Sequence, residues 1–377
     1  MPDLTSTDPA SLPPLARSTR ASFGLRVATM ADGGEFRIPV HFLCGAEPGP
    51  RMVIMSTAHG YEIDQIGVLM ELYRTTDLNQ LRGELVLVPV ANPAAFEMGS
   101  RNTWIDGLWG DSGNMNRLWP GRPNGWLTER FCHAIATMIG TNTDAVVDMH
   151  AGGPTRAIAY GYVSRSKPGE IGYELSLAFG HTILIRQTDR ELSEKRQGAG
   201  TSSAWLREIG VASYSCEIGS FYGLFDERDA RTSDPIIGVP EIGVRGARNL
   251  MMMLGMLPGT PTVPARRVIV QPELNLRPSH GGLLVSELDE TAVGQLVPEG
   301  TILGTVISPY TFDVVDTLRA PFEQTLILAA TYRKPYSKVN PGEIGYIVAD
   351  WALTEETSWT PTAVPTVSAN AAGDADG

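Results

Sequence analysis

The chain has 377 residues, 42% of them hydrophobic, and a formal net charge of −12. That is enough apolar material for a large core and about two domains. The acidic balance argues against a nucleic-acid or anionic-membrane partner, and no apolar run reaches the roughly 18 residues that span a bilayer.

Residues 1–20 are rich in Pro, Ser and Thr and are expected to form a flexible arm. They contain no apolar stretch of a secretory signal, so the expected location is the cytoplasm. Residues 22–45 alternate like strands around the glycine turn MADGGEF (30–36), which predicts a hairpin. RMVIMSTA (51–58) reads as a buried strand, IGVLMELYRTT (66–76) as a helix and GELVLVPVAN (83–92) as a second buried strand. TERFCHAIATMIG (128–140) predicts a helix and DAVVDMH (144–150) a third strand. Further on, 173–180 reads as helix and 182–187 as strand. SSAWLREIG (202–210) is a helix opened by Ser and closed by Gly, 211–219 a strand and 241–257 a long helix.

Strands alternating with helices predict an α/β domain over residues 21–257, with helices on both faces of a mixed, largely parallel sheet. A Pro-rich linker, 258–266, separates it from a small β-domain over 267–351. Within that domain LVPEGTILGTVIS (296–308) and KVNPGEIGYIVAD (338–350) form an internal repeat that resembles the biotinyl/lipoyl hammerhead. No Lys occupies an equivalent exposed turn, so the repeat reads as scaffold. Residues 352–377 are rich in Ser, Thr, Ala, Pro and acid, and are expected to be disordered.

Cys44, Cys132 and Cys216 are odd in number, show no C-x-x-C spacing and read as free thiols of a reducing compartment. The chemistry lies elsewhere. His59 and Glu62 form H-x-x-E just after one strand, and His150 ends another. Two imidazoles and a carboxylate, with a fourth position left for water, are a catalytic zinc set. Sites of open α/β sheets gather beyond the carboxyl ends of the strands, where both segments fall. His41, His133, His181 and His280 read as ordinary core or surface residues.

Glu217, an acid at the end of an apolar strand, is the candidate general acid/base. Zinc with Glu62 leaves one positive charge, which Glu217 balances. The irregular segment 92–121 carries Arg101, a candidate for stabilising an oxyanion, and Asn116 with Arg117, a candidate pair for a substrate carboxylate. Its Trp104, Trp109 and Trp119 are candidates to line a pocket.

In this order HGYE, NP…R…NMNRLWPG, DMHAGG and CEIG resemble the succinylglutamate desuccinylase/aspartoacylase family, within the wider zinc-carboxypeptidase group. The resemblance covers about residues 50–350. It implies a zinc-carboxypeptidase-like α/β/α domain with one Zn²⁺ held by His59, Glu62 and His150. It also implies Glu217 as general acid/base, Arg101 at the oxyanion, and Asn116 and Arg117 on the carboxylate of the amino-acid moiety. Tyr332 matches a substrate-binding tyrosine. The implied activity is deacylation of a small N-acyl amino acid or related amide, with the N-acetyl-diaminobutyrate deacetylases as the nearest subgroup. Family members are often oligomeric, so a homo-oligomer is an expectation. GLWGDS (107–112) looks like an insertion that reshapes the pocket, and the Trp-rich loop would admit a bulkier or aromatic acyl group. Two other readings keep the same residues: a metallocarboxypeptidase acting on short peptides, and a catalytically inactive binding protein.

Overall fold

The structure is a computed structural model that describes residues 5–107, 113–140, 142–152, 156–158, 160–163, 168–186, 200–218, 241–271, 273–289, 292–331 and 335–359. In chain order its strands begin with β1 (Thr5–Thr7), β2 (Thr19–Thr29), β3 (Glu35–Cys44), β4 (Glu47–Ser56), β5 (Arg82–Val88) and β6 (Ala145–His150). They continue with β7 (Arg156–Ile158), β8 (Tyr160–Tyr162), β9 (Ile183–Ile185), β10 (Ala212–Glu217) and β11 (Arg267–Val270). The last third adds β12 (Glu273–Leu276), β13 (Gly282–Ser286), β14 (Leu296–Pro298), β15 (Ile302–Ile307) and β16 (Val314–Arg319). It ends with β17 (Gln324–Thr331), β18 (Ser337–Val339), β19 (Tyr346–Asp350) and β20 (Glu355–Thr357). The described helices are α1 (Asp64–Thr75), α2 (Pro93–Glu97), α3 (Trp104–Gly107), α4 (Leu127–Ile139), α5 (Ile171–Ala178), α6 (Ser202–Glu208) and α7 (Glu241–Met253). Among the described residues no helix is long and apolar enough to cross a membrane.

An eleven-stranded mixed sheet forms the centre, in the order β1-β2-β3-β5-β4-β6-β10-β8-β9-β11-β20. Its middle, β5-β4-β6-β10, is parallel throughout. Alternation along each strand sends residues to opposite faces. Met52 and Ile54 of β4, with Val147 and Met149 of β6, pack under α1, α5 and α7. Val53 and Met55, with Val146, pack under α4 and α6. The result is the α/β/α layering expected from the sequence.

Two smaller sheets follow. β12-β19-β17-β14 forms one, with β7 added to β17, and β16-β15-β13-β18 the other. β17 and β19 make the first a middle layer. Leu326, Leu328 and Ala349 face the large sheet through Ile183, Ile185 and Val268. Ile327, Tyr346 and Val348 face the outer sheet through Leu284, Leu303 and Val306. The internal repeat has a structural counterpart: β14 and β15 lie in different sheets, and so do β18 and β19, in reverse order. Each pair turns at a glycine with positive φ, Gly300 at +78° and Gly342 at +80°.

Several expectations need correction. The N-terminal arm is partly ordered, because β1 pairs in parallel with β2 and Leu12 and Leu15 pack on the core. The strand expected over 83–92 stops at Val88, since Pro89 has no N–H and Asn92 turns instead to cap α2. β11 belongs to the large sheet, beside β9, and the chain returns to it as β20. The region expected to be disordered from 352 thus supplies an edge strand, its charged Glu355 and Glu356 facing outward. Residues 360–377 and 108–112, most of the apparent insertion, lie outside the described residues.

The turn after β4 has little room. Gly60 sits against α2 so closely that a Cβ there would lie 2.0 Å from the carbonyl carbon of Ala95. Thr57, at φ +58°, already holds a conformation that non-glycine residues avoid. Gly60→Ala should therefore destabilise the fold by an overpacking cost of about 1–3 kcal/mol, read as a lowered denaturation midpoint in a denaturant titration.

His181 offers a pH test of the core. It is buried, stacks on Phe179 at 4.9 Å and meets the Tyr214 hydroxyl at 2.7 Å. Burial pushes its pKa down to about 3 from an ordinary 6.5. The unfolded chain takes up a proton that the folded state refuses. This stability is complete above pH 6.5 and is lost toward pH 3, at about 1.4 kcal/mol per pH unit. Denaturation midpoints should fall between pH 7 and 4, and His181→Gln should flatten that slope.

Candidate metal centre and cavity

The turn His59–Glu62 closes on itself, with Glu62 N–H donating to His59 O at 3.0 Å. Its ends are tied down by the loop after β5. The Thr57 hydroxyl lies 3.2 Å from Glu62 O and 3.0 Å from Pro89 O. Asn92 accepts from Ala95 N–H at the start of α2 and from the Thr103 hydroxyl, each at 3.1 Å. That is the local meaning of the NP motif: Asn caps the helix, and Pro fills the first position, where no N–H is needed.

β4 and β6 are parallel neighbours, so their carboxyl ends lie side by side. His59, Glu62 and His150 meet there, all buried, with one ligand atom from each within 4.8 Å of the others. His59 Nδ1 lies 2.8 Å from Glu62 Oε1, and His150 Nδ1 lies 3.0 Å from Glu62 Oε2. Both far nitrogens face acceptors. His59 Nε2 is 3.2 Å from Asn114 Oδ1. His150 Nε2 is 3.3 Å from Asp148 Oδ2, within ion-pair reach but without hydrogen-bond alignment. The tautomer that satisfies these outer partners leaves both Nδ1 lone pairs aimed at a carboxylate. Two lone pairs cannot crowd a carboxylate at such distances unless a proton or metal cation lies between them.

The electrostatics agree. Burial would push Glu62 up, but the charge of His59 and the contacts from both imidazoles hold it well below the usual carboxylate range. Burial lowers His59, against an opposing pull from Glu62. Burial also works against a charged His150, yet Asp148 and Glu62 outweigh it and raise its pKa well above the ordinary value. Two buried carboxylates thus demand positive charge between them. The donor set of two imidazole nitrogens and one carboxylate fits a zinc ion.

That cavity has a volume of about 610 Å³. It is lined by His59, Glu62 and His150, and by Arg101, Asn116, Arg117 and Glu217. Glu217 ends β10 in direct register with His150. Cys216 points the other way, into the apolar core under α5 and α7. Arg101 donates to the Tyr61 hydroxyl at 3.0 Å and to Glu62 Oε1 at 3.3 Å. Asn116 Oδ1 accepts from Ser202 N–H at the start of α6, at 3.2 Å, and Arg117 Nη1 donates to Asn116 O. Tyr332 lies outside the described residues.

The tryptophans are placed differently from the sequence expectation. Trp119 is buried against Trp205 at 5.6 Å, and Trp104 is exposed. Trp109 lies outside the described residues. Among the described residues the aromatic lining consists of Tyr61, Tyr160 and Tyr162. The sequence reading also missed Asn114 and Asp148, which support the two imidazoles. Asp148 was legible in principle: it stands two residues before His150, on the same strand face, where an acid costs free energy unless it holds something. The Ser202 hydroxyl donates to it from α6. Asn114 carried no such periodic signal.

The succinylglutamate desuccinylase/aspartoacylase catalytic-domain profile matches residues 48–237, the span that holds all three convergent side chains and Glu217. The N-alpha-acetyl-L-2,4-diaminobutyric acid deacetylase of Halomonas elongata is 27% identical over 336 residues, 84% of this chain and 86% of that protein. Among solved structures, the product-bound ectoine utilization protein EutE (DoeB) of Ruegeria pomeroyi has a TM-score of 0.71 at 24% identity, covering 89% of this chain and 97% of that one. A succinylglutamate desuccinylase of Silicibacter sp. TM1040 has a TM-score of 0.71 at 22% identity, covering 89% and 96%. At these identities the two structures speak to the fold alone. The profile, over the part of the chain that builds the site, carries the assignment: the chain belongs to the succinylglutamate desuccinylase/aspartoacylase family.

Proposed function

We propose that the protein is a zinc-dependent amidohydrolase that removes the acyl group from an N-acyl amino acid. The observation that carries this reading is the convergence of His59, Glu62 and His150 at the floor of a cavity that also holds Glu217 and Arg101. Family membership supports it, as does the Halomonas relative, whose name gives it an N-acetyl amino acid as substrate.

His59, Glu62 and His150 would hold the zinc, and Asn114 and Asp148 would fix their imidazoles from behind. A zinc ion held there supplies Lewis acidity toward water and the amide carbonyl. Glu217 takes the proton from the attacking water and returns it to the leaving amine, so that acid and base are one residue. Arg101 offers its guanidinium to the carbonyl oxygen as that oxygen gains charge. Asn116 and Arg117 offer N–H donors to the substrate carboxylate. The C–N bond breaks, and a carboxylic acid and a free amine leave. A reducing compartment such as the cytoplasm suits the three buried free thiols.

A metallocarboxypeptidase would use the same atoms. The small β-sheets argue against it: Glu273 and Asn275 of β12 and Ile347 of β19 form one wall of the cavity, which narrows the approach of a longer peptide.

Metal analysis should find one zinc per chain, and a chelator should abolish hydrolysis of N-acyl amino acids until zinc is restored. Glu62→Gln should lose the metal; activity indifferent to chelation would rule out the metal chemistry. Glu217→Gln should retain zinc while kcat falls about 10²–10⁴-fold. Unchanged turnover in that variant would remove Glu217 from the mechanism.

A further inference from the structure

The large sheet carries a second polar group on its other face, beneath Glu217. Tyr214 and Cys216 of β10 point into the core under α5 and α7, away from the cavity. There His181 Nδ1 meets the Tyr214 hydroxyl at 2.7 Å, and both side chains are buried. Phe179 completes the cluster, its ring 4.9 Å from the imidazole, nearly parallel to it at 9°, and 5.0 Å from the phenol. Two glycines make room for these rings. A Cβ at Gly161 of β8 would fall 1.9 Å from the Tyr214 hydroxyl, and one at Gly246, inside α7, would fall 2.4 Å from the Phe179 ring. Glycine inside a strand or a helix is the destabilising choice, and here it is made twice around one buried imidazole. Asn249 of α7 adds a hydrogen bond from Nδ2 to Phe179 O at 3.4 Å.

An apolar side chain would fill this space without burying a polar ring. The imidazole instead reaches the end of β10. Burial pushes its pKa down, the main-chain carbonyl of Glu217 pulls against that, and the charge of Arg245 pushes it down further. The ring is therefore neutral, with one donor nitrogen and one acceptor nitrogen. Tyr214 occupies the Nδ1 side, and Nε2 is buried without an aligned hydrogen bond among the described residues. The tautomer that serves both neighbours accepts from the Tyr214 hydroxyl at Nδ1 and carries its proton on Nε2, toward the Glu217 carbonyl. The other end of the same peptide is also held, because Ile218 N–H donates to His150 O at 2.6 Å. The N–H and C=O of a trans peptide point in opposite directions. The Glu217–Ile218 peptide thus spans from His150 on one side to His181 on the other.

We infer that His181 and Tyr214 are positioning residues for Glu217: they steady the carbonyl end of the Glu217–Ile218 peptide while His150 holds its N–H end, which fixes the carboxylate beside His150. The effect on turnover rests on the hydrolase reading; the hold on the peptide does not.

Two measurements on the full chain need no substrate. Nitrogen NMR at neutral pH should show His181 as a neutral ring protonated on Nε2. Amide hydrogen exchange should show Ile218 opening about ten-fold faster or more in Tyr214→Phe and in His181→Leu, while the amides shared by β4 and β6 keep their rates. Tyr214→Phe removes one hydroxyl from an otherwise intact core, so it reads the effect even where His181→Leu fails to fold. In both variants kcat for N-acyl amino acids should fall about ten-fold, with KM and zinc content unchanged. His181→Gln, which keeps a donor and an acceptor, should recover part of the turnover lost in His181→Leu. A proton on Nδ1, an unchanged Ile218 amide, or equal acceleration across the whole sheet would overturn the inference. If Ile218 responds but the wild-type chain hydrolyses no N-acyl amino acid, the hydrolase reading fails and the hold on Glu217 stands. If the wild type is active and Glu217→Gln is not, yet both core variants keep full kcat, the positioning role fails and the hydrolase stands.

Discussion

A carboxylate buried between two imidazoles is the constraint around which the rest of the site is arranged. Glu62 lies under 3.0 Å from His59 Nδ1 and 3.0 Å from His150 Nδ1, with almost no access to water. In a low-dielectric interior that grouping survives only with a proton or a metal cation between its members, because neither a bare carboxylate nor opposed lone pairs can be left unscreened. Asp148, also buried, adds a second negative charge behind His150. The protein therefore holds an electrostatic deficit at one fixed point, and the folded scaffold around it keeps the deficit from relaxing.

That rigidity comes from the sheet. Parallel pairing of β4 with β6 sets the two ligand segments side by side, and parallel pairing of β6 with β10 puts Glu217 next to His150. One register thus brings the buried His–Glu–His group and the Glu217 carboxylate to the same end of the sheet. Helix α6 closes the arrangement from outside: its Ser202 hydroxyl donates to Asp148, and its Ser202 N–H donates to Asn116. A single helix start therefore connects the acid behind His150 to Asn116 on the cavity wall.

Much of this was legible in the sequence. The buried strands of the large sheet announce themselves as apolar runs, and the ligands follow those runs where open sheets place their sites. H-x-x-E, DMH and the acid of CEIG were readable because each places a polar residue where an apolar one would cost nothing. What stayed hidden lacked a periodic signal. β7 and β8 are three residues each, too short for alternation to show. The exposed edge strand Glu355–Thr357 has a composition that reads as tail, because an edge needs charge rather than apolar side chains. Asn114 and the Tyr160–Tyr162 pair depend on contacts made across the fold. The tryptophans misled for a related reason: a large aromatic residue reads equally as pocket lining or core filler, and Trp119 is core.

The second set of sheets does more than shield the cavity. β7 leaves the large sheet six residues after His150 and pairs with β17, so that the strand just beyond the buried His–Glu–His group becomes an edge of the middle sheet. β12 belongs to that same sheet through β19 and carries Glu273 and Asn275 to the cavity wall. The apolar seam of Leu326, Leu328 and Ala349 against Ile183, Ile185 and Val268 fixes the two layers together. The three convergent ligand-type side chains with Glu217, and part of the opposite cavity wall, therefore sit on different sheets joined by an apolar interface. The lining contributed by β12 can then vary while the strands that bring His150 and Glu217 together stay as they are, the arrangement expected of a site grafted on a fixed scaffold.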